Sequence, residues 1–388
     1  MSVTVEKVDV FFFERPRTTP YLGAGEGEFA IGERYIVREF NGTVYPLTDR
    51  SIVVKVTDKH GAVGWGETYG LVAPKAVAAI IQDLLAPYLA MRSFETPEAA
   101  WDGLYELQRV RGYWGGYLGD ALAALDIAIW DVHARSNGQS LQAALGKGGS
   151  GRLEGYVSGI PAPSRQARLD LVREWKAKGF HKVKLPVGHT DNGDVIGEME
   201  TLRAGLGDDH EISVDLHWTL TAQETLDLDA ALKPIRPWFL EAPTKPEDIE
   251  AQRTIARSIT APLAIGEEWR TDWDYRHRLD CCHIIQPEMG HTGITQFARM
   301  ARLANARGTG ILPHATIGLG IFASASLRAA LAFGAQGHEF QHTIYTRNAE
   351  LLDGAAVVEG GYFEIPDTPG HGVTLNGEAD NYLTPLVL

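Results

Sequence analysis

The sequence predicts a modified TIM (β/α)8 barrel with an α+β capping domain. The chain has 388 residues, which is enough for a barrel of about 250 residues and a second module of roughly one hundred. In the second half, short apolar segments alternate eight times with helix-length amphipathic segments. The first part instead combines an alternating β pattern with a later helical pattern, which is typical of an α+β module.

We place the capping domain in residues 1–130, the barrel in 131–354 and a tail in 355–388 that returns to the capping domain. The first strand alternates apolar and polar residues from Val3 to Phe12. A helical stripe follows later, with apolar residues three or four positions apart: Leu118, Leu122, Leu125, Ile129 and Val132. A helix with such a stripe packs one face on the core.

The barrel prediction depends on eight apolar segments that have the length of buried strands. Strands that alternate with helices form parallel βαβ units, and eight in succession indicate a closed barrel rather than an open sheet. The segments are Leu153–Ile160, His181–Val187, Glu211–Leu216, Pro237–Ala242, Pro262–Glu267, His283–Glu288, Gly310–Ala315 and His338–His342.

Charged or titratable residues close seven of these segments. In a barrel of this type the chemistry lies at the carboxyl ends of the strands, so one such residue per strand forms a ring around a common cleft. A single strand-end carboxylate is more often a helix cap or a surface residue, but seven in register are not explained that way. The residues are Lys184, Asp215, Glu241, Glu267, Glu288, His314 and Glu339.

Three carboxylates in this ring, Asp215, Glu241 and Glu267, follow three consecutive strands. Converging buried carboxylates repel one another unless a cation lies between them. Oxygen ligands favour a hard divalent ion, and a site that keeps positions open for substrate suits Mg²⁺ better than Ca²⁺. We therefore predict a Mg²⁺ site here, with Mn²⁺ as the alternative ion.

Composition excludes several classes of partner. The formal net charge is −14, from 36 Lys and Arg against 50 Asp and Glu, which disfavours nucleic acid and anionic membranes. The N-terminus lacks a signal-peptide pattern, and the two adjacent cysteines do not form a disulfide framework. We expect a cytoplasmic protein with no membrane and no nucleic-acid partner, and a homo-oligomer.

These residues resemble those of the enolase superfamily, and within it the mandelate racemase subgroup. Beyond the ring, the resemblance includes Gly64-Trp65-Gly66-Glu67 in the capping domain, the stretch from Ala124 to Asp131, and Gly361 to Gly370 in the tail. It covers essentially the whole chain. The resemblance implies removal of a proton α to a carboxylate and stabilisation of the resulting enediolate by Mg²⁺.

Carried over position by position, the resemblance makes the three carboxylates the metal ligands and Lys184 a catalytic base. Lys182 is then the cation beside the substrate carboxylate, and Glu339 hydrogen-bonds that carboxylate. His314 is the second base, oriented by Glu288. A neighbouring ammonium and a metal are expected to disfavour the charged form of Lys184.

The sequence departs from the subgroup at two positions. Glu288 stands where an aspartate is usual, and it is one methylene longer. His217 stands where many relatives have asparagine, while some acid-sugar dehydratases have a histidine that protonates a departing hydroxyl. Substrate hydrogen bonding and a structural role are the alternatives for His217. Arg17 and Tyr21, near a Gly-rich loop, are candidates to reach over the barrel mouth and bind substrate.

The function predicted from the resemblance is that of an acid-sugar (aldonate or aldarate) dehydratase acting on a small hydroxy-carboxylate. The base removes the α-proton, and His217 or His314 helps to expel the β-hydroxyl, giving a 2-keto-3-deoxy acid. A racemase or epimerase is the alternative, because bases on both faces suit a 1,1-proton transfer. A sugar-lactone cycloisomerase is a third reading.

Overall fold

The antiparallel sheet of the capping domain is built around its long first strand. The computed structural model describes residues 2–17, 28–39, 42–186, 194–315 and 318–387. Strand β1 (Val3–Pro16) pairs along its length with β5 (Thr48–Asp58), and β5 pairs with β6 (Val63–Tyr69). A second, three-stranded sheet is formed by β2 (Glu28–Ile31), β3 (Tyr35–Arg38) and β4 (Thr43–Pro46).

The helices of the capping domain are α1 (Pro74–Ile80), a π turn (Ile81–Leu85), α2 (Ala86–Met91), α3 (Pro97–Arg109), α4 (Tyr117–Ser136) and α5 (Leu141–Ala144), with the short strand β7 (Ser93–Phe94) before α3. Helices α1 to α4 pack against the sheet of β1, β5, β6 and β7, and the short α5 packs on α4 and on a barrel helix. The five residues of the predicted α4 stripe are all buried. Buried residues occur on every side of α4, because the helix lies between β6 and a barrel helix.

Two glycines let α4 approach the sheet closely. A Cβ added at Gly66 would lie 2.0 Å from the carbonyl oxygen of Ala124, and one at Gly64 would lie 2.3 Å from that of Ala128. Larger side chains at these two positions would push helix and strand apart. This close packing explains why glycine alternates in the Gly64 to Glu67 motif.

All eight predicted barrel strands are present, and most are shorter than the apolar segments that predicted them. Parallel ladders run in chain order from the first strand to the seventh, and the eighth pairs with the first. Between the seventh and eighth strands, the backbone bonds are Gln336 N to Ile311 O (3.0 Å) and Glu339 N to Pro313 O (3.4 Å). The strands are β8 (Gly151–Ser158), β9 (Lys182–Pro186), β10 (Glu211–Asp215), β11 (Leu240–Glu241), β12 (Leu263–Ile265), β13 (Ile284–Ile285), β14 (Gly310–Ile311) and β15 (His338–Gln341).

Helices follow the barrel strands, and side-chain caps define several of their starts. Ser164, Asp194 and Asp248 each accept a hydrogen bond from a backbone N–H of the first turn, and Thr221 forms a capping box with Glu224. The helices are α6 (Arg165–Ala177), α7 (Val195–Leu206), α8 (Ala222–Leu232), α9 (Ile249–Ser258), α10 (Asp272–Arg276), α11 (Met289–Arg307), α12 (Ile321–Phe333) and α13 (His342–Asn348). No helix in these described ranges has both the length and the apolar character needed to cross a membrane.

The tail pairs with both domains, whereas the sequence indicated only the capping domain. Its strand β18 (Tyr362–Ile365) pairs with the start of β8, and β17 (Val357–Glu359) pairs with β18. The next strand, β19 (Thr374–Leu375), pairs with β16 (Leu352–Asp353). Only the last, β20 (Leu383–Pro385), joins the capping sheet, beside β1. Apolar Phe363 and Ile365 draw the first half of the tail onto the barrel core.

Candidate active site

A cleft of about 400 Å³ opens at the carboxyl ends of the barrel strands, beneath the capping domain. Six of the seven predicted strand-end residues line it, and the seventh, Glu241, lies buried beside them and bonded to Lys184. Residues of the capping domain complete its wall, including Tyr45 of β4, Tyr69 of β6 and Tyr117 of α4. The parallel strand order explains this convergence, because all the strands end at one face.

The three predicted metal ligands, Asp215, Glu241 and Glu267, form what we call the carboxylate trio. Asp215 and Glu241 are direct partners across the ladder between β10 and β11, and Glu267 follows the end of β12 by two residues. Each carboxylate has a partner outside the trio. Asp215 lies beside His217, Glu241 contacts Lys184 and Gln286, and Glu267 Oε2 lies 3.2 Å from His314 Nε2.

The trio fits a hard divalent cation by the chemistry of its oxygen donors. In the described part of the chain, no group of three or more His, Cys, Asp or Glu side chains is arranged to hold a metal ion. Burial and the neighbouring carboxylates raise the pKa of Glu241 to about 7 and that of Glu267 to about 8, although Lys184 and His314 act in the opposite direction. A cation among these oxygens would relieve that repulsion. The assignment of these three residues as metal ligands stays a prediction; to bind an ion, Glu241 and Glu267 would exchange their present partners.

Lys184 is almost completely buried, and carboxylates surround its ammonium. Its Nζ lies 2.5 Å from Glu241 Oε1 and 3.0 Å from Glu339 Oε1. Burial opposes the charge, but Glu241, Glu339 and Asp215 outweigh it and raise the pKa of Lys184 well above its ordinary value. The sequence led us to expect a lowered pKa for Lys184. With Glu241 as its ion-pair partner, the pKa is raised instead.

Lys182 does not reach the cleft, contrary to its predicted role beside the substrate carboxylate. It shares a strand face with Lys184 but stands two residues earlier, which is roughly 6.6 Å along the strand. Its partner across the ladder is Glu211, the first residue of β10. Its ammonium lies 2.9 Å from Glu154 and over the ring of Trp238. Lys182 therefore closes the amino-terminal end of the barrel.

His314 and Glu288 form a hydrogen-bonded dyad, and the longer glutamate is accommodated. His314 Nδ1 lies 2.8 Å from Glu288 Oε2, which also accepts a hydrogen bond from the Tyr69 hydroxyl at 3.0 Å. Glu288 Oε1 accepts the backbone N–H of Gly290, at the start of α11. Burial disfavours the imidazolium, but Glu267, Glu339 and Glu288 raise the pKa of His314 to about 10.

His217 is held in the cleft by an uncommon backbone conformation. Its φ is 48°, and Trp218 (57°) and Ala242 (44°) are also left-handed, a combination that stores strain and is most often found at functional sites. Its backbone N–H donates to Asp215 Oδ1 at 3.0 Å, and its Nε2 lies 3.3 Å from Asp215 Oδ2. Nδ1 is buried and has no hydrogen-bond partner among the described residues. Burial lowers the pKa of His217.

Of the other residues predicted to bind substrate, Glu339 lies at the cleft, whereas Arg17 pairs with Asp49 instead. Glu339 lines the cleft and accepts the backbone N–H of Ala315 at 3.0 Å. Arg17 is not among the residues that line the cleft, and its Nε lies 2.6 Å from Asp49, to which Arg347 also binds. Tyr21 lies outside the described residues.

Four charged or imidazole side chains of the cleft have no role predicted from the sequence: Asp120, Glu268, Arg270 and His291. Asp120 comes from α4, and the others follow β12 and β13. Glu268 and Arg270 could have been noticed because they directly follow a strand-end carboxylate. Nothing local in the sequence marks Asp120, since only the packing of α4 on the barrel brings it to the cleft.

Comparison with known proteins gives consistent results along the chain. Residues 42–146 match the mandelate racemase / muconate lactonizing enzyme N-terminal domain, and residues 167–379 match the enolase C-terminal domain-like family. D-galactonate dehydratase of Ralstonia nicotianae is 28% identical over 86% of this chain and 91% of its own length. D-galactarolactone cycloisomerase of Agrobacterium fabrum is 28% identical over 84% and 89%. The crystal structure of an enolase superfamily member from Agrobacterium tumefaciens has a TM-score of 0.95 and 45% identity, and covers 100% of both chains.

Proposed function

Because the chain belongs to the enolase superfamily, among the mandelate racemase and muconate lactonizing enzymes, we propose that it is a Mg²⁺-dependent acid-sugar dehydratase. The observation that carries this proposal is the presence of His217 in the cleft, in addition to Lys184 and His314. A 1,1-proton transfer uses two groups that act on the α-carbon alone, whereas dehydration needs a base for the α-proton and a donor that protonates the departing β-hydroxyl so that it leaves as water. Curated relatives of this chain include dehydratases and cycloisomerases.

The superfamily is metal-dependent, typically on Mg²⁺. In this chain Asp215, Glu241 and Glu267 would hold the ion, with Mn²⁺ as the alternative. When bound, such an ion supplies positive charge to the substrate carboxylate and thereby favours loss of the α-proton.

Lys184 is the group we assign to removal of the α-proton. Its ammonium is held by Glu241 and Glu339, so it becomes a base only when this pairing weakens. Glu241 would provide the means if it held the ion, because its carboxylate would then no longer stabilise the ammonium. Glu339, fixed by the Ala315 N–H, stays to position the substrate end.

His217 and His314 are the two candidate donors for the departing β-hydroxyl. His314 is fixed by Glu288 through Nδ1, and its Nε2, which lies 3.2 Å from Glu267, would be the proton-transfer atom once Glu267 takes up the ion. His217 is fixed through its backbone N–H and Nε2 by Asp215, which leaves the buried Nδ1. The two imidazoles can therefore take different roles on one substrate.

Incubation in D₂O with a panel of aldonates and aldarates and Mg²⁺ tests the proposal. We expect 2-keto-3-deoxy acid, detected as its semicarbazone. In a His217→Asn variant, solvent deuterium should still enter at the α-carbon while keto-acid formation falls. A His314→Asn variant that retains full keto-acid formation would assign the donor role to His217.

The opposite result would support the isomerase alternative. Deuterium at the α-carbon without keto acid, accompanied by inversion, would contradict dehydration and favour an epimerase with Lys184 and His314 as the two bases. Absence of both exchange and product with every acid, while Mg²⁺ binds, would contradict proton abstraction itself.

A further inference from the structure

Four polar side chains that have no place in the proposed chemistry lie together on the β12 and β13 side of the cleft. We call Asp120, Glu268, Arg270 and His291 the distal subsite. By strand order they lie across the barrel from Lys184 and Glu339, which are on β9 and β15. Asp120 Oδ1 joins two of them, at 3.2 Å from Arg270 Nε and 2.7 Å from His291 Nδ1.

The surrounding structure holds this subsite in place without a ligand. Gly119 leaves room for the arginine stem, since a Cβ there would lie 2.6 Å from Arg270 Cγ. Arg270 Nη1 donates to the carbonyl oxygen of Glu268 at 2.6 Å. The His291 ring stacks on Tyr69, with ring centroids 4.3 Å apart. A fixed geometry of this kind suits recognition rather than solvation.

Three of the four side chains of the subsite carry hydrogen-bond acceptors. The Asp120 carboxylate is the charged partner of Arg270 and accepts from His291, so His291 Nδ1 carries the proton. Burial lowers the pKa of His291, and the neutral ring then has an accepting Nε2. Both carboxylate oxygens of Glu268 are buried and lack a hydrogen-bond partner in the described parts of the chain.

We propose that the distal subsite binds an uncharged, hydroxyl-bearing end of the substrate, so that the enzyme selects aldonates over aldarates; this rests on the proposed function. A hydroxyl group can donate to His291 Nε2 and can accept from Arg270. A second carboxylate can only accept, and it would lie near the Asp120 carboxylate. The one cation that would attract it, Arg270, is already paired with Asp120, and buried like charges are costly.

Matched substrate pairs test this selection. Each pair contains a hexonate and the hexarate that differs from it only by a carboxylate in place of the terminal hydroxymethyl: gluconate with glucarate, mannonate with mannarate, and galactonate with galactarate. Affinity is measured by calorimetry with Mg²⁺ present, and kcat/KM is measured from keto-acid formation. The wild type should prefer the aldonate of its accepted pair by about tenfold or more in both measurements.

Asp120→Asn should change that preference, because it leaves Arg270 without its compensating charge. We expect the ratio of aldarate to aldonate affinity to rise about tenfold, with the same direction in kcat/KM. Glu268→Gln, which replaces the other carboxyl group of the subsite with an amide, should shift the ratio the same way if Asp120→Asn does not fold. Asp102→Asn is the matched control, because its carboxylate pairs with Arg299 on the surface and its loss should leave the ratio unchanged.

The outcomes separate the two proposals. Tighter binding of the aldonate without any turnover would support the subsite and contradict dehydration. Binding of the aldarate at least as tight as that of the aldonate, binding of neither, or unchanged ratios in both cleft variants would overturn the subsite. Turnover of diacids in preference to monoacids would also overturn the subsite, but it would leave the dehydratase function standing.

Discussion

The ammonium of Lys184 lies 2.5 Å from a carboxylate oxygen of Glu241, a residue that we also propose as a metal ligand. Both residues are buried, with 3% and 1% of their surface exposed. If Glu241 holds the ion, the lysine and the metal compete for one carboxylate. This competition would link metal binding to the release of the proposed base.

A Lys184→Met variant should separate the two roles. We expect α-proton exchange to fall by about 10³-fold or more, since the general base is lost. Mg²⁺ affinity should be retained or increased, because Glu241 no longer has a competing ammonium. Calorimetric titration with Mg²⁺ and deuterium exchange measure the two effects. Glu241→Gln is the counterpart and should lose metal affinity; weaker Mg²⁺ binding in Lys184→Met would contradict the competition.

A Glu288→Gln variant should impair the dyad through charge rather than shape. The amide keeps the length of the side chain but removes the negative charge that holds the proton on His314, so the pKa of His314 should fall. We expect kcat to decrease by about 10²-fold. The pKa of His314 can be followed by NMR of labelled imidazole. Tyr69→Phe, which removes only one neutral hydrogen bond to Glu288, should have a much smaller effect on kcat.

Glu67 should be important for stability, because it joins the two domains. Its buried carboxylate accepts hydrogen bonds from the Ser51 hydroxyl and from backbone N–H groups at the start of α12, including those of Gly320 and Ile321. Glu67→Ala would leave these donors unsatisfied, at a cost of about 3 kcal/mol or more. Urea denaturation measures the loss. The exposed Glu364 provides the control, since Glu364→Ala should change the free energy of unfolding by less than about 0.5 kcal/mol.

His371 should make the protein less stable as the pH falls. Burial, with the nearby Arg135 and Arg328, lowers its pKa to about 4, although Asp131 opposes this. Below a pH of about 6.5, His371 is protonated in the unfolded chain but stays neutral in the folded one. The free energy of unfolding therefore falls as the pH decreases from about 6.5 to about 4. The full effect of this group is about 3 kcal/mol.

The comparison of variants isolates that contribution. Chemical denaturation at several pH values should show a shallower decline for His371→Asn than for the wild type, although the variant is less stable at neutral pH. His60, which is exposed, serves as the control, and His60→Asn should follow the wild-type slope. Equal slopes for all three proteins would show that protonation of His371 does not limit acid stability.

The architecture of the barrel and the location of the site follow from the sequence to a large extent. Eight apolar segments of strand length, each followed by a helical one, leave few arrangements other than parallel βαβ units. The residue that closes each segment must then lie at the same face, which is why six of the seven predicted side chains line one cleft. The two glycines of β6 were likewise visible in the sequence, although their reason, the close approach of α4, was not.

The contacts of individual side chains depended on the position of each residue along its strand and on packing between segments distant in the sequence. Lys182 and Lys184 have the same residue type and the same strand face, but only Lys184 is high enough to reach the cleft, because two residues along a strand exceed the reach of one hydrogen bond. The partner that each carboxylate selects depends on distances between strands that the sequence does not contain. The same holds for the tail, where Phe363 finds the barrel core rather than the capping domain.

The sequence by itself thus determined the barrel, its capping domain and the ring of charged residues at the strand ends, since these follow from local periodicity and chain order. The tertiary structure decided the pairing of Lys184 with Glu241, the position of Lys182 and the composition of the distal subsite. These depend on side chains from distant segments meeting within a few ångströms, and burial then determines which charges are stabilised.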